Sequence, residues 1–117
     1  MVKIVIPVSD RKGEEISNYF GRAPYFAWFD LSSGKIREKG VISNDSIDFG
    51  GMWLPPEHMM AMGADIVIST SIGERAIQRL QERNIAVLQA HEMKTDRCIE
   101  EYLEGKLKHL LKIAFEI

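Results

Sequence analysis

Val2-Lys3-Ile4-Val5-Ile6-Pro7-Val8 opens the chain as a near-continuous apolar run of mostly β-branched residues. A strand with one solvated face would alternate apolar and polar, so this pattern predicts a central strand covered on both sides. Pro7 stands near its end, where a missing backbone donor does least harm. Ala64-Asp65-Ile66-Val67-Ile68-Ser69 is a second buried strand of the same kind. Covering such strands on both faces takes helices, and that selects an α/β fold.

Outward from the first run, polar Ser9-Asp10-Arg11-Lys12-Gly13 reads as a loop. Glu14 to Phe20 reads as a short helix with Ile16, Tyr19 and Phe20 on one side and Gly21 as terminator. Tyr25-Phe26-Ala27-Trp28-Phe29-Asp30 is an aromatic-rich strand opened by Pro24. Leu31-Ser32-Ser33-Gly34 is turn chemistry, and Lys35 to Ile42 resumes as the antiparallel partner of a hairpin. Ser43 to Leu54 has neither helical nor strand period, and ordered loops of that length in compact domains are often functional.

Pro55-Pro56 then opens a helix, Glu57 to Met62 continues it, and Gly63 closes it. Beyond the Ile66 strand, Glu74 to Arg83 is a helix with an Ala76, Ile77, Leu80 stripe, followed by a short strand, Ile85 to Leu88. Thr95 is read as the N-cap of a last helix, with Ile99, Tyr102 and Leu103 pointing inward and Gly105 at its end. Lys106 to Ile117 is compatible with a further helical turn or a loosely attached tail. This order predicts an α/β three-layer sandwich, a mixed sheet whose antiparallel member comes from the N-terminal hairpin.

The 117 residues suit one domain, 1–117. Apolar residues at 45% and charged residues at 27% are the profile of a globular protein rather than a disordered one. A net charge of −2 removes the easiest electrostatic case for nucleic acid or an anionic membrane as partner. No apolar run approaches the roughly 18 residues of a membrane span, and the N-terminal run is too short for a signal peptide. A single cysteine, Cys98, excludes a disulfide or a Cys-only metal cage within one chain. The expected location is cytoplasmic.

In open α/β sheets ligands collect beyond the carboxyl ends of the strands, where chain order reverses. If the first strand lies between the hairpin and the Ile66 strand, two loops meet there: Ser9–Gly13, and Ser69-Thr70-Ser71-Ile72-Gly73, which leads into a helix. Free backbone donors and three hydroxyls suit an anionic or oxygen-rich group; Ser71 or Thr70 capping the helix is the alternative. Asp10 is placed to face the same crevice or to be solvated. Arg22 follows Gly21, so backbone approaches closely there while the guanidinium either clamps an anion or pairs with Asp10 or Asp30.

His58 shares a neighbourhood with Met52, Met59, Met60 and Met62, whose imidazole and thioether donors suit copper(I) or the edge of a sulfide cluster. Methionines at helical spacing also fill core gaps. Cys98 reads as a small buried hydrophobe, and His91 and His109 as surface residues. Arg75, Arg79 and Arg83 form a basic stripe partly compensated by Glu82, a solvated face without the stacking aromatics of a nucleic-acid site.

Four segments together resemble the dinitrogenase iron–molybdenum cofactor biosynthesis family, nitrogenase-accessory proteins with a ribonuclease H-like fold. They are Lys3 to Val8; Ile16-Ser17-Asn18-Tyr19-Phe20-Gly21-Arg22-Ala23-Pro24-Tyr25-Phe26; Gly63 to Ile68 with Ile72-Gly73-Glu74-Arg75-Ala76; and Glu101-Tyr102-Leu103-Glu104-Gly105-Lys106-Leu107. The resemblance implies a five-stranded mixed sheet and non-catalytic carriage of an iron–molybdenum or related metal–sulfur cluster, with an acceptor protein as further partner. Asp10, Tyr19, Gly21, Arg22, Ser69, Thr70 and Gly73 are the ligand-binding candidates, with His58 and Met52 as metal candidates.

The sequence departs from the family where metal chemistry matters. Tyr19 stands where members often have histidine, and Asp48-Phe49-Gly50-Gly51-Met52-Trp53 contains none. Imidazole and thiolate are the usual holders of iron-type clusters, so a second reading keeps the fold and exchanges the cluster for a small anion or a partner protein. A nuclease would need several carboxylates around magnesium, and Asp10 with Asp30 lack a third. Neither a Ser-His-Asp nor a Cys-His arrangement is readable, so catalysis is not expected. Leu110, Leu111, Ile113 and Phe115 suit a weak homodimer contact or packing on the sheet of a monomer.

Overall fold

The N-terminal run forms the middle of the sheet. In the computed structural model, which describes residues 1–46, 50–51, 53–91 and 93–110, β1 (Val2–Val8) pairs antiparallel with β2 (Tyr25–Ser32) and parallel with β4 (Ile66–Ser69). β2 continues into β3 (Lys35–Ser43) through a two-residue turn, Ser33-Gly34, both at positive φ (54° and 74°), the backbone that matches a hairpin's twist. β5 (Ala86–Gln89) runs parallel to β4, and β6 (Lys108–His109) antiparallel to β5. The order is β3-β2-β1-β4-β5-β6.

Among the described residues three helices cover this sheet: α1 (Pro55–Ala61), α2 (Glu74–Glu82) and α3 (Thr95–Leu103). Side-chain alternation along β1 divides the core. Ile4, Ile6 and Val8 point to one face with Ala27, Phe29 and Leu31, and meet Cys98 and Ile99 of α3. Val5 points to the other with Phe26 and Val67, and meets Met59 of α1 and Ile77 and Leu80 of α2. Ile4, Val5, Ile6 and Val8 are all fully buried, as the unbroken apolar run requires. Among the described residues no helix is long and apolar enough to cross a membrane.

Four local expectations are corrected. The sheet has six strands rather than five, because Lys108 and His109 pair with Gln89 and Leu88. Two exposed polar residues carry no strand signal; Leu107 beside them is buried, and 111–117 lie outside the described residues. Secondly, Glu14 to Phe20 is not a helix. The Asp10 carboxylate accepts the N–H groups of Glu14 (3.0 Å) and Glu15 (2.8 Å), while Ile16 bridges to Val8 and Glu15 to Lys94. The carbonyls of Glu14 and Glu15, which a helix would spend on its own later N–H groups, accept instead from Thr95 N–H (3.0 Å) and Ser9 N–H (2.9 Å), and the N–H groups of Ile16 and Ser17 donate to Met93 O and Pro7 O.

Thirdly, Thr95 does not cap α3. Lys94 holds that position without a side-chain bond, and Thr95 lies inside the helix with its hydroxyl donating to the Gly13 carbonyl at 2.7 Å. Finally, Arg79 reaches across to Glu57 of α1 at 2.8 Å, whereas Glu82 accepts from Gln78. Asp30, a proposed partner of Arg22, is beside Lys3 at 3.8 Å.

Gly13 sits at φ +74°, and a Cβ there would lie 2.6 Å from Val41 Cγ2. Both the backbone conformation and the packing exclude a side chain. Gly13→Ala is expected to lower unfolding free energy by about 1–3 kcal/mol, read as a shift of the urea midpoint at unchanged slope.

Candidate functional site

The reversal of chain order around β1 brings four connections to one end of the sheet. Val8 ends β1 opposite Tyr25, the start of β2, and Tyr25 faces Ser43, the end of β3. The described residues among 9–24, 44–54, 70–73 and 90–94 therefore gather beyond the carboxyl ends of β1, β4 and β5. Ser17 fastens the first to the third: its N–H donates to Pro7 O (2.9 Å), and its carbonyl accepts from Thr70 Oγ1 (3.0 Å). Arg22 and Thr70 thus belong to loops of the same end.

Asn44 fastens the first connection to the second. Its side chain, 3% exposed, donates to the carbonyls of Gly21 (3.0 Å) and Ala23 (2.7 Å) and accepts from the Ser46 N–H (2.9 Å). Its backbone N–H donates to Pro24 O at 3.0 Å. The two carbonyls flanking Arg22 are held by one buried amide, so the backbone there is fixed while the guanidinium stays exposed. Among the described residues no carboxylate pairs with Arg22.

His58 supports the second connection from beneath. It is buried, with Phe26 edge-on at 5.2 Å and Trp53 stacked at 6.1 Å. Its Nδ1 accepts the Asp45 N–H at 3.3 Å, which requires the unprotonated nitrogen. Burial lowers its pKa from the ordinary 6.5, the nearby Asp45 carboxylate opposing. Gly51 closes the base of this loop: its N–H donates to Ser46 O at 3.0 Å, and a Cβ would collide with the Asp45 carbonyl.

The other candidates take distinct places. Asp10 organises its own loop. Burial works against its ionised form, but the N–H donors of Glu15 and Glu14 and the Lys94 ammonium outweigh it, holding the carboxyl below the usual range. Tyr19 is 63% exposed. Ser69 is buried and its hydroxyl donates to Ser71 O at 3.0 Å. Gly73 is the N-cap of α2 without a side-chain bond, so neither Thr70 nor Ser71 caps that helix, and its first N–H groups are left without side-chain acceptors.

Met52 lies outside the described residues. Met59 is fully buried, and Met60 and Met62 pack against the same core, so these three fill space. Among the described residues no three of His, Cys, Asp and Glu converge as a metal site. Beside the site, Phe20, Leu54, Pro55, Pro56 and Ala76 line a cavity of about 200 Å³ rimmed by Arg75 and Arg79. Asn44 and Gly51 escaped sequence reasoning, because an asparagine and a glycine in an aperiodic loop look like ordinary turn residues.

The family model described as "Dinitrogenase iron-molybdenum cofactor" matches residues 2–105. The chain belongs to that family. It is 29% identical over 110 residues to an uncharacterised protein of Methanocaldococcus jannaschii, MJ0580, covering 92% of this chain and 91% of that one. The crystal structure of PH0822 has a similar fold, with TM-score 0.79, 27% identity, and coverage of 92% and 94% of the two chains. The apo form of the orange protein from Desulfovibrio gigas has TM-score 0.76 at 19% identity, with coverage of 94% and 93%, a likeness of fold.

Asn44→Ala removes three side-chain hydrogen bonds and strands buried carbonyls; a loss of about 2–4 kcal/mol is expected in urea unfolding. His58 binds protons more weakly folded than unfolded, so stability is highest above its unfolded pKa of 6.5 and falls as pH drops from there through the lowered folded pKa. Urea midpoints between neutral pH and pH about 5 should show this slope, and His58→Gln should flatten it.

Proposed function

We propose that this chain is a non-catalytic accessory protein that carries an iron–molybdenum or related metal–sulfur cluster and yields it to an acceptor protein. The reading takes residues 1–117 as one cytoplasmic domain. Family membership supports the class of cargo. The orange protein, of similar fold, has an apo form, as suits a protein able to take a cargo.

The observation that carries the reading is Arg22: an exposed cation whose flanking carbonyls are locked by Asn44, at the end of the sheet where Thr70 and the start of α2 also lie. Sulfide-rich clusters carry negative charge. With no converging ligand set among the described residues, charge and hydrogen-bond donors are the available means of holding one. Arg22 would supply charge, the Gly73 end of α2 its backbone donors, and Tyr19 a hydroxyl. Non-ligating retention also suits release, since no metal–protein bond has to break.

A second reading has one observation in its favour. Tyr19 offers a phenol where the family resemblance implies an imidazole, and the same donors serve a simple oxyanion equally well. Anaerobic reconstitution with iron, molybdate and sulfide, followed by desalting, decides between them. The carrier reading expects sulfide-to-metal charge-transfer absorption and bound metal, reduced roughly tenfold in Arg22→Ala. Colourless, metal-free protein whose thermal midpoint rises with molybdate or phosphate only when Arg22 is present establishes the second reading instead. Neither response in wild type defeats both.

A further inference from the structure

The three layers are unequal. α1 and α2 share one face of the sheet, while α3 alone serves the other, packing Cys98, Ile99 and Tyr102 against β1 and its neighbours. Beside β2 and β3 on that second face, a cavity of about 600 Å³ remains between the sheet, the Lys12–Glu14 loop and the start of α3. Its volume falls in the range of small-molecule sites.

The floor is apolar. Ala27 and Phe29 of β2 lie opposite Val41 and Lys39 of β3, so all four share one side of the hairpin, and Ile36, opposite Leu31, extends the same side. Around this floor stand Lys12, Lys39, Lys94 and Arg97, with the carboxylates of Glu14 and Asp96. Lys94 is engaged by Glu15, and Arg97 by Glu100 at 3.5 Å. Lys12 and Lys39 have no carboxylate partner among the described residues.

We propose that this cavity binds a small organic monoanion with a flat apolar body, laid on Phe29, Ile36 and Val41 with its carboxylate or sulfonate against Lys12 and Lys39. A neutral ligand would leave both ammonium groups unmatched, and a polyphosphate would set surplus charge against Glu14 and Asp96. The floor offers no donors for an inorganic anion. The site is independent of Arg22 and of the carrier reading.

The probe is 8-anilinonaphthalene-1-sulfonate, titrated by fluorescence into the full chain at low salt, then displaced with 2-naphthoate or with neutral 2-naphthalenemethanol. One saturable site per chain is expected, with the carboxylate displacing the dye roughly tenfold better than the alcohol. The double variant Lys12→Glu/Lys39→Glu should weaken binding by about tenfold or more, and Ile36→Glu, at a residue 43% exposed, should also weaken it. Arg22→Ala should bind as wild type does. Non-saturable binding overturns the proposal, as do equal affinities in wild type and the lysine variant or loss of binding in Arg22→Ala. Unchanged far-ultraviolet circular dichroism of each variant shows that affinity rather than folding has been read.

Discussion

Everything in this molecule depends on the desolvation of β1. Ile4, Val5, Ile6 and Val8 are fully buried, which is possible only if both faces and both edges of the strand are occupied. Its edges take an antiparallel neighbour on one side and a parallel one on the other. A strand flanked in this way marks the point where successive connections part to opposite sides, and that parting opens room for a guest. At that end Thr70 and Ser17 tie two of the loops together, and Asn44 fixes the backbone on both sides of Arg22.

The features legible in the sequence were those with a period or a covalent peculiarity. Unbroken apolar runs gave β1 and β4, the Ser33-Gly34 pair gave the hairpin, and Pro55-Pro56 gave the start of α1. What escaped was set by single side chains acting over distance. The apolar spacing of Ile16, Tyr19 and Phe20 suggests a helix, but the carbonyls of Glu14 and Glu15 are taken by the N–H groups of Thr95 and Ser9, and the Ile16 N–H by Met93 O. Thr95 has the chemistry of a cap, yet spends its hydroxyl on Gly13, a partner 82 positions away in sequence. β6 escaped because backbone pairing with β5 forms it, without any alternation of its own side chains.

The same division applies to the site. Thr70 was placed by a topological rule, which needs only strand order, and Arg22 was singled out because it follows Gly21. The roles of Asn44, Gly51 and His58 depend on which atoms meet after the loop closes. Metal chemistry was the hardest to judge from residue types alone. The Met-rich stretch around His58 suggested soft ligands, but Met59 is core, and His58 uses its Nδ1 to hold a backbone amide. Family membership and a plain set of donors are therefore compatible, and under the proposed carrier reading the loop-bearing end would hold its cargo by charge and hydrogen bonds.

The free border of the sheet bears on how the protein tolerates its own kind. β3 is nine residues long and lies at one margin, where unpaired backbone groups invite strand addition by a second molecule. Lys35, Arg37, Glu38 and Lys39 all stand exposed along it, and bringing two such borders together would crowd like charges and strip their water. At the opposite margin β6 spans two of the described residues. Strand addition by a second copy at β3 is disfavoured by those charges.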